Sequence, residues 1–431
     1  MNRHLLSLTV VKQLKVDLSD NNIIWSRNAE DEQKIKLAVD DILLYPLTLK
    51  DAVKIALINN PHLQQSYTNI GIAQSDLIQA GLFTNPLLGY SIGRGSGASV
   101  NALSIEFSFL DLLWIPIRKQ LSGLALQQVQ LEVGDEVLKT VKDVKTSYIN
   151  LIASEQKVNE FESILKSSEI SSQLAARQYA AGNLSKRNYL RIHESYMQDH
   201  LKMMELNRLK TVTKENFCRL LGLHGTQTKF ILPKNYTLDS LQSVDHTNVE
   251  FLAVMNRLDV AAVRKQVEHD AAQAGYVLDT RLLSEGIMEF DRQSASNESS
   301  ALKNFGIKMS LPIFDYGQGR VELSKALYLK SLHRLYEVTV NAKSQAREAY
   351  ARVRYAQDAM QEQQEQILPL KLQILEETQK NYNGMLDGID ILLTDQKELV
   401  QAKMDMIDKT VQFENDYFDL EYTLGGFNVN R

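Results

Sequence analysis

Ala102-Leu103-Ser104-Ile105-Glu106-Phe107-Ser108-Phe109 alternates its side chains without a slip. Leu103, Ile105, Phe107 and Phe109 fall on one side of an extended chain and Ala102, Ser104, Glu106 and Ser108 on the other, the two-residue period of a strand with one apolar face. About two hundred residues later Phe305, Ile307, Met309 and Leu311 alternate with Gly306, Lys308 and Ser310 in the same way. Residues 85–93, with Leu88, Tyr90 and Ile92 on one face, and residues 286–292, with Met288 and Phe290 opposed to Glu289 and Asp291, supply partners. Two hairpins are therefore predicted, 85–109 and 286–311, closed by Gly93-Arg94-Gly95-Ser96-Gly97 and by residues 294–300.

Strands of about nine residues with one apolar face have the length and pattern of tilted strands in an outer-membrane barrel. An amphipathic hairpin packed on helices has the same pattern. Four strands cannot close a barrel, since about eight are needed. If these strands meet lipid, several chains must share one barrel.

Outward from the hairpins the chain is helical, rich in Ala, Leu, Gln, Glu and Lys. Thr48 is a fair N-cap, and Asp51 places a negative charge in the first turn. A first cycle is predicted helical over 49–81, broken at Thr84-Asn85-Pro86, resumed near Pro116, then helical over 117–180 and 185–221. A second is helical over 249–278, broken over 284–310, resumed after Pro312, then helical over 319–382, with a kink at Pro369, and over 387–423. Tyr179 stands 43 residues before Gly222, and Tyr382 stands 43 before Gly425. The chain reads as a tandem duplication, with an extension at 1–47, repeats at 48–225 and 249–425, a linker at 226–248 and a tail at 426–431. Each long helix would span about 95 Å, and the two shorter helices of each cycle together about 100 Å, enough to lie end to end along it.

Composition removes several classes of function. A net charge of −5 over 431 residues, with no run of five Lys or Arg, offers nucleic acid no electrostatic footprint. Cys218 is the single cysteine and has no partner for a disulfide or a zinc site. Apolar stretches such as 42–47 and 112–117 fall far short of a spanning helix. Met1–Lys12 has a basic start and a short apolar core, but Lys12 and Lys15 interrupt it and no small-residue cleavage site follows, so no export signal is predicted. Gly317-Gln318-Gly319-Arg320 lacks the third glycine or Lys-Ser/Thr of a phosphate loop. His193 and His200 are seven residues apart, about 10.5 Å along a helix, too far to share a metal. Met197, Met203 and Met204 read as packing. No nucleophile and base recur in a catalytic spacing, so neither an enzyme nor a cofactor is expected.

Between the helices, Ala181-Gly182-Asn183-Leu184 and Asn383-Gly384-Met385-Leu386 each place a glycine where a left-handed residue can reverse the chain.

From Thr48 to Gly425 the chain resembles the TolC-like outer-membrane efflux proteins. The resemblance rests on Leu49-Lys50-Asp51-Ala52-Val53-Lys54-Ile55-Ala56-Leu57 followed by Asn59-Asn60-Pro61, on Leu311-Pro312-Ile313-Phe314-Asp315 with Gly317 and Arg320, and on the paired glycine turns. It implies a mainly α fold with a small β part. In that family three copies each give four strands to a twelve-stranded barrel in outer-membrane lipid and their helices to a long periplasmic tunnel.

The function implied is the exit duct of a tripartite efflux system in a Gram-negative outer membrane, working with a periplasmic adaptor and an inner-membrane efflux transporter. A protein-secretion duct of the same fold and a non-membrane helical scaffold are the alternatives. The family is exported, and many members are lipidated on an N-terminal Cys. Neither feature stands near Met1, although residues 10–45 look like the mature extension of lipidated relatives.

By the same resemblance Gly182, Asn183, Leu184, Gly384, Met385 and Leu386 form the tips where the adaptor docks. Six residues past each glycine stand Asn188 and Asp390, and only Asp390 matches the family's gate acid. Leu393 replaces a further acid. The family tyrosine three residues before the glycine is kept as Tyr179, whereas Asn381 takes its place in the second repeat with Tyr382 one position off. Asp387, one turn before Asp390, would add a second ring of charge to the gate.

Overall fold

The computed structural model describes residues 26, 28–95, 98–233, 248–282, 286–295, 300–386 and 388–426. Helices dominate, and their ends follow from identifiable caps. Asn28 accepts the Asp31 N–H at 2.9 Å and opens α1 (Ala29–Ile42), whose Ile35 and Val39 are buried. The Thr48 hydroxyl accepts the Asp51 N–H at 3.2 Å and opens α2 (Leu49–Asn59).

The run predicted as one helix over 49–81 is two. A single residue, Asn60, separates α2 from α3 (Pro61–Ala80), because Pro61 biases Asn60 out of the helical region and itself fits a first helical position. Asn60 has ψ 120°, and its Oδ1 accepts the N–H groups of His62 and Leu63 at 2.8 and 3.1 Å. The run predicted over 249–278 likewise splits into α6 (Val249–Asn256) and α7 (Leu258–Thr280) at Arg257, where ψ is 130°. No proline causes that break. The buried Arg257 guanidinium donates to Gln345 Oε1 at 2.7 Å, and the Asn256 carbonyl fills the space left by the missing side chain of Gly425.

α4 (Leu110–Ala180) is an uninterrupted helix of 71 residues. It starts seven residues before the predicted 117 and carries Pro116 in its second turn, where one donor is lost to the Leu112 carbonyl. Asp111 in the first turn accepts the Thr84 hydroxyl. α5 (Lys186–Leu221) follows, capped by Ser185 and ended by Gly222 at φ +68°. The kink predicted at Pro369 is one π-helical turn, Gln363–Ile367, between α8 (Gln318–Glu362) and α9 (Leu368–Asn383). Pro369 cannot donate to the carbonyl four residues earlier, and a wider turn absorbs that loss. Gln363, buried in this turn, donates to the Ala402 carbonyl on α10 (Ile389–Thr423) at 3.0 Å.

The four strands form one antiparallel sheet in the order β1 (Leu87–Gly95), β2 (Ala98–Ser108), β3 (Gly286–Ala295), β4 (Leu302–Met309). The hairpins thus join through β2 and β3. β1 and β2 reach into the predicted Gly93–Gly97 loop, of which residues 96 and 97 lie outside the described residues, as do 296–299 of the second loop. β4 ends at Met309, two residues before the predicted 311.

Two compact units divide the chain. One holds Ser66–Asp135 and Leu258–Asn341, with the whole sheet, α7 and the start of α4, where Trp114 meets Tyr276 edge to face at 6.0 Å. The other holds Glu136–Arg257, residues from Ala342 onward and the described residues up to Gln65. Within it Phe161 and Ile164 of α4, Met203 and Leu206 of α5, and Val400 and Met404 of α10 form a buried core. Charge pairs run beside it between α4 and α10: Lys142 to Asp419 at 3.3 Å, Lys145 to Glu421 at 2.5 Å, Lys157 to Asp408, and Glu160 to Lys403 at 3.1 Å.

Candidate membrane-facing sheet and helix-turn tips

The register places Leu88, Ile105, Phe290 and Phe305 side by side across all four strands. In a single chain this row is bare: Leu88 is 72% exposed, Ile105 45%, Phe290 54% and Phe305 58%. The Phe290 and Phe305 rings meet at a tilt, with centroids 5.0 Å apart, and Ile307 and Met309 extend the face. A contiguous apolar patch of this kind marks a surface that something else covers. Toward the hairpin ends the same face turns basic, in the row Tyr90, Leu103, Arg292 and Lys303.

The opposite face is polar. Glu106 and Glu289 stand directly opposite each other, as do Ser104 and Asp291, with Asn304 beside Asp291. Lys308 reaches both glutamates, at 2.7 Å from Glu289 Oε2 and 3.5 Å from Glu106 Oε1. Sequence alternation assigned these residues to one face, but only the register shows that two carboxylates are forced together.

At the first tip Gly182 has φ +78°; its N–H donates to the Tyr179 carbonyl at 3.0 Å and that of Asn183 to Gln178 at 2.9 Å. Gly182 and Asn183 are exposed and Leu184 half-buried. The Tyr179 ring stacks on Tyr189 of α5 at 5.3 Å, and His193, 5.9 Å beyond, bonds through Nδ1 to the Ser172 hydroxyl at 3.0 Å.

The second tip differs from the sequence expectation. Gly384 has φ −80°, and the left-handed residue is Met385, at φ +61°. Met385 N–H donates to Tyr382 at 3.0 Å and Leu386 N–H to Asn381 at 2.9 Å, the bonds of the first tip moved on by one residue from the glycine count. Met385 therefore corresponds to Gly182, Tyr382 to Tyr179 and the N-cap Gly388 to Ser185. Tyr382 is in register after all. Asp390 then corresponds to Arg187, and Asn188 to Ile391. Asp390 lies exposed in the first turn of α10 with its carboxylate folded back over Gly388, and Asp387 lies outside the described residues. Met385 and Leu386 project into solvent, 93% and 78% exposed.

CusC, a structure described in connection with transmembrane channel formation, superimposes with a TM-score of 0.73 at 17% identity, over 88% of this chain and 92% of CusC. The CmeC outer membrane channel of Campylobacter jejuni gives 0.69 at 14% identity, over 100% of this chain and 93% of CmeC. This chain has the TolC-like outer-membrane channel fold. Nodulation protein T of Rhizobium leguminosarum bv. viciae is 24% identical over 404 residues, which are 88% of this chain and 82% of that protein. No family model matches the sequence. Within the TolC-like fold the two hairpins lie where the sequence predicted them, whereas the helices predicted over 49–81 and 249–278 are each two and the second turn has its left-handed residue at Met385 rather than Gly384. Among the described residues no helix is long and apolar enough to cross a membrane, and no group of three or more His, Cys, Asp or Glu is placed to hold a metal ion.

Proposed function

We propose that the protein is the outer-membrane exit duct of a tripartite efflux system. Three copies each contribute β1–β4 to a twelve-stranded barrel, and the helices extend the conduit into the periplasm of a Gram-negative cell. The observation that carries this reading is the exposed row Leu88, Ile105, Phe290 and Phe305, an apolar band crossing an antiparallel sheet whose outer strands each leave one edge unpaired. Water is a poor partner for the apolar band and an open strand edge is a template for another strand, whereas lipid and the next copy's sheet satisfy the two together.

In this reading conduction is passive, an inner-membrane transporter selects and drives the substrate, and a periplasmic adaptor engages the tips at Gly182, Asn183, Leu184, Gly384, Met385 and Leu386. Asp390, with Asp387, supplies charge at the narrow end.

Phe290→Arg tests the proposal, because a charge facing lipid near the midplane costs about 2–4 kcal/mol. The variant should lose detergent-resistant trimers and channel activity in planar bilayers, whereas Gln293→Arg on the polar face should keep both. A wild-type protein that is monomeric and stable without detergent would overturn the duct reading in favour of a soluble helical scaffold.

A further inference from the structure

The proposed barrel would have two faces, and the polar one would line the conduit. On that face the register allows no escape for Glu106 and Glu289. They are cross-strand partners on β2 and β3, the pair through which the two hairpins meet, and like charges directly opposite repel. Asp291 follows Glu289 on the same face, two residues along β3. Among the described residues of this face Lys308 is the single basic side chain, since Arg292 and Lys303 belong to the apolar face near the hairpin ends. Gly306 on β4 places no side chain next to Glu289, and Lys308, two residues further, bends back to reach both glutamates. The Lys308 side chain is 57% exposed, so it is also in contact with whatever solution fills the conduit.

We propose that Lys308 is the residue that sets the ionic preference of the barrel section. This rests on the duct reading, which makes the polar face the lumen. Three carboxylates against one ammonium leave the face negative, and closure by three copies repeats the pattern around the axis. Lys308 holds that preference down by covering the closest carboxylate pair. Without it, two facing glutamates and Asp291 would attract mobile cations in its place, and a divalent ion would be held longest because it can meet both glutamates at once.

Reversal potentials across planar bilayers in a potassium chloride gradient test this with the full-length trimer. Lys308→Gln should raise the cation-to-anion permeability ratio at least about twofold and bring on block by millimolar magnesium chloride, neither of which Lys308→Arg should show. Glu289→Gln, which leaves Lys308 facing one glutamate, should move the ratio the opposite way. If Lys308→Gln and Glu289→Gln conduct with the wild-type ratio, Lys308 does not set the preference, even where trimer heat resistance falls. Wild-type trimers that insert but never conduct would instead overturn the duct reading, and the role of Lys308 with it.

Discussion

Gly222 lies against Asn59 so closely that a Cβ on the glycine would come well within 3.0 Å of the Asn59 carbonyl oxygen. The contact is deliberate on both sides. Asn59 Nδ2 donates to the Leu221 and Gly222 carbonyls at 2.8 and 3.1 Å, and Asn60 Nδ2 to Leu220 at 2.8 Å, so the break between α2 and α3 pairs the open carbonyls at the end of α5. Gly425 and Asn256 repeat the approach, with a Cβ on Gly425 falling 2.5 Å from the Asn256 carbonyl oxygen. Gly222→Ala should therefore lose about 1–3 kcal/mol from the positive φ alone, and more from the collision. Thermal unfolding in detergent measures it: Gly222→Ala should melt well below wild type, while Gly275→Ala, in open space within α7, should not. Equal melting of Gly222→Ala and wild type would mean that the helix break and the cap do not touch.

Met385 carries the strain that Gly182 avoids. A residue with a side chain at φ +61° costs about 1–2 kcal/mol relative to the ordinary helical region, and the surrounding bonds from Met385 and Leu386 N–H hold it there. Met385→Gly should slow amide exchange of the second tip, because the turn no longer stores strain. Met385→Val, β-branched at positive φ, should speed it, with the Gly182 turn unchanged in both. If Met385→Val exchanges as slowly as Met385→Gly, the residue does not adopt this conformation.

Strand alternation around Ile105 and Phe290 was legible because one face is uniformly apolar, and period-two patterns report faces directly. The helix break at Asn60 was half legible: Pro61 marks it, but the run of helix-forming residues on either side concealed it. The break at Arg257 left no local signal, since it depends on Gln345 and on the space beside Gly425, both far away in sequence. The second tip misled for a related reason. Gly384 looked like the left-handed residue because glycine tolerates that conformation, but the bonds to Tyr382 and Asn381 assign it to Met385. Whether two strands set Glu106 against Glu289 is a matter of register, which alternation alone does not fix.

Asp416 of α10 gives a pH dependence with a definite sign. Burial pushes its carboxyl above the ordinary range, against the pull of Arg352, whose Nη1 lies 3.4 Å away, and Asp419 nearby raises it further. A carboxyl with a raised folded-state pKa binds its proton more tightly when folded. Its contribution to stability is therefore full below the ordinary carboxylate pKa and lost as pH rises through the raised value. Asp416→Asn, permanently neutral, should be more stable than wild type at neutral pH, with the difference shrinking to nothing as the solution is acidified through that window. Paired denaturation curves at several pH values check it. An asparagine variant that is less stable than wild type at pH 7 would show that the Arg352 pairing outweighs desolvation.

The bond-defined register of the tips changes what the proposed gate should do. Asp390 and Arg187 occupy equivalent places in the first turns of α10 and α5, and both are exposed. In a trimer each would appear three times, so acid and base would alternate around the narrow end instead of forming a purely acidic ring. Asp390→Asn should then lower the cation preference of the reconstituted channel, Arg187→Gln should raise it, and the double variant should return close to wild type. A carboxylate that merely favours the helix dipole predicts something else: a loss of about 0.3–1 kcal/mol in stability for Asp390→Asn, with conduction unchanged. Single-channel reversal potentials separate the two, because the dipole acts on folding and the ring acts on permeating ions. Identical reversal potentials in wild type and both single variants would remove Asp390 from the gate and leave it as a helix-capping acid.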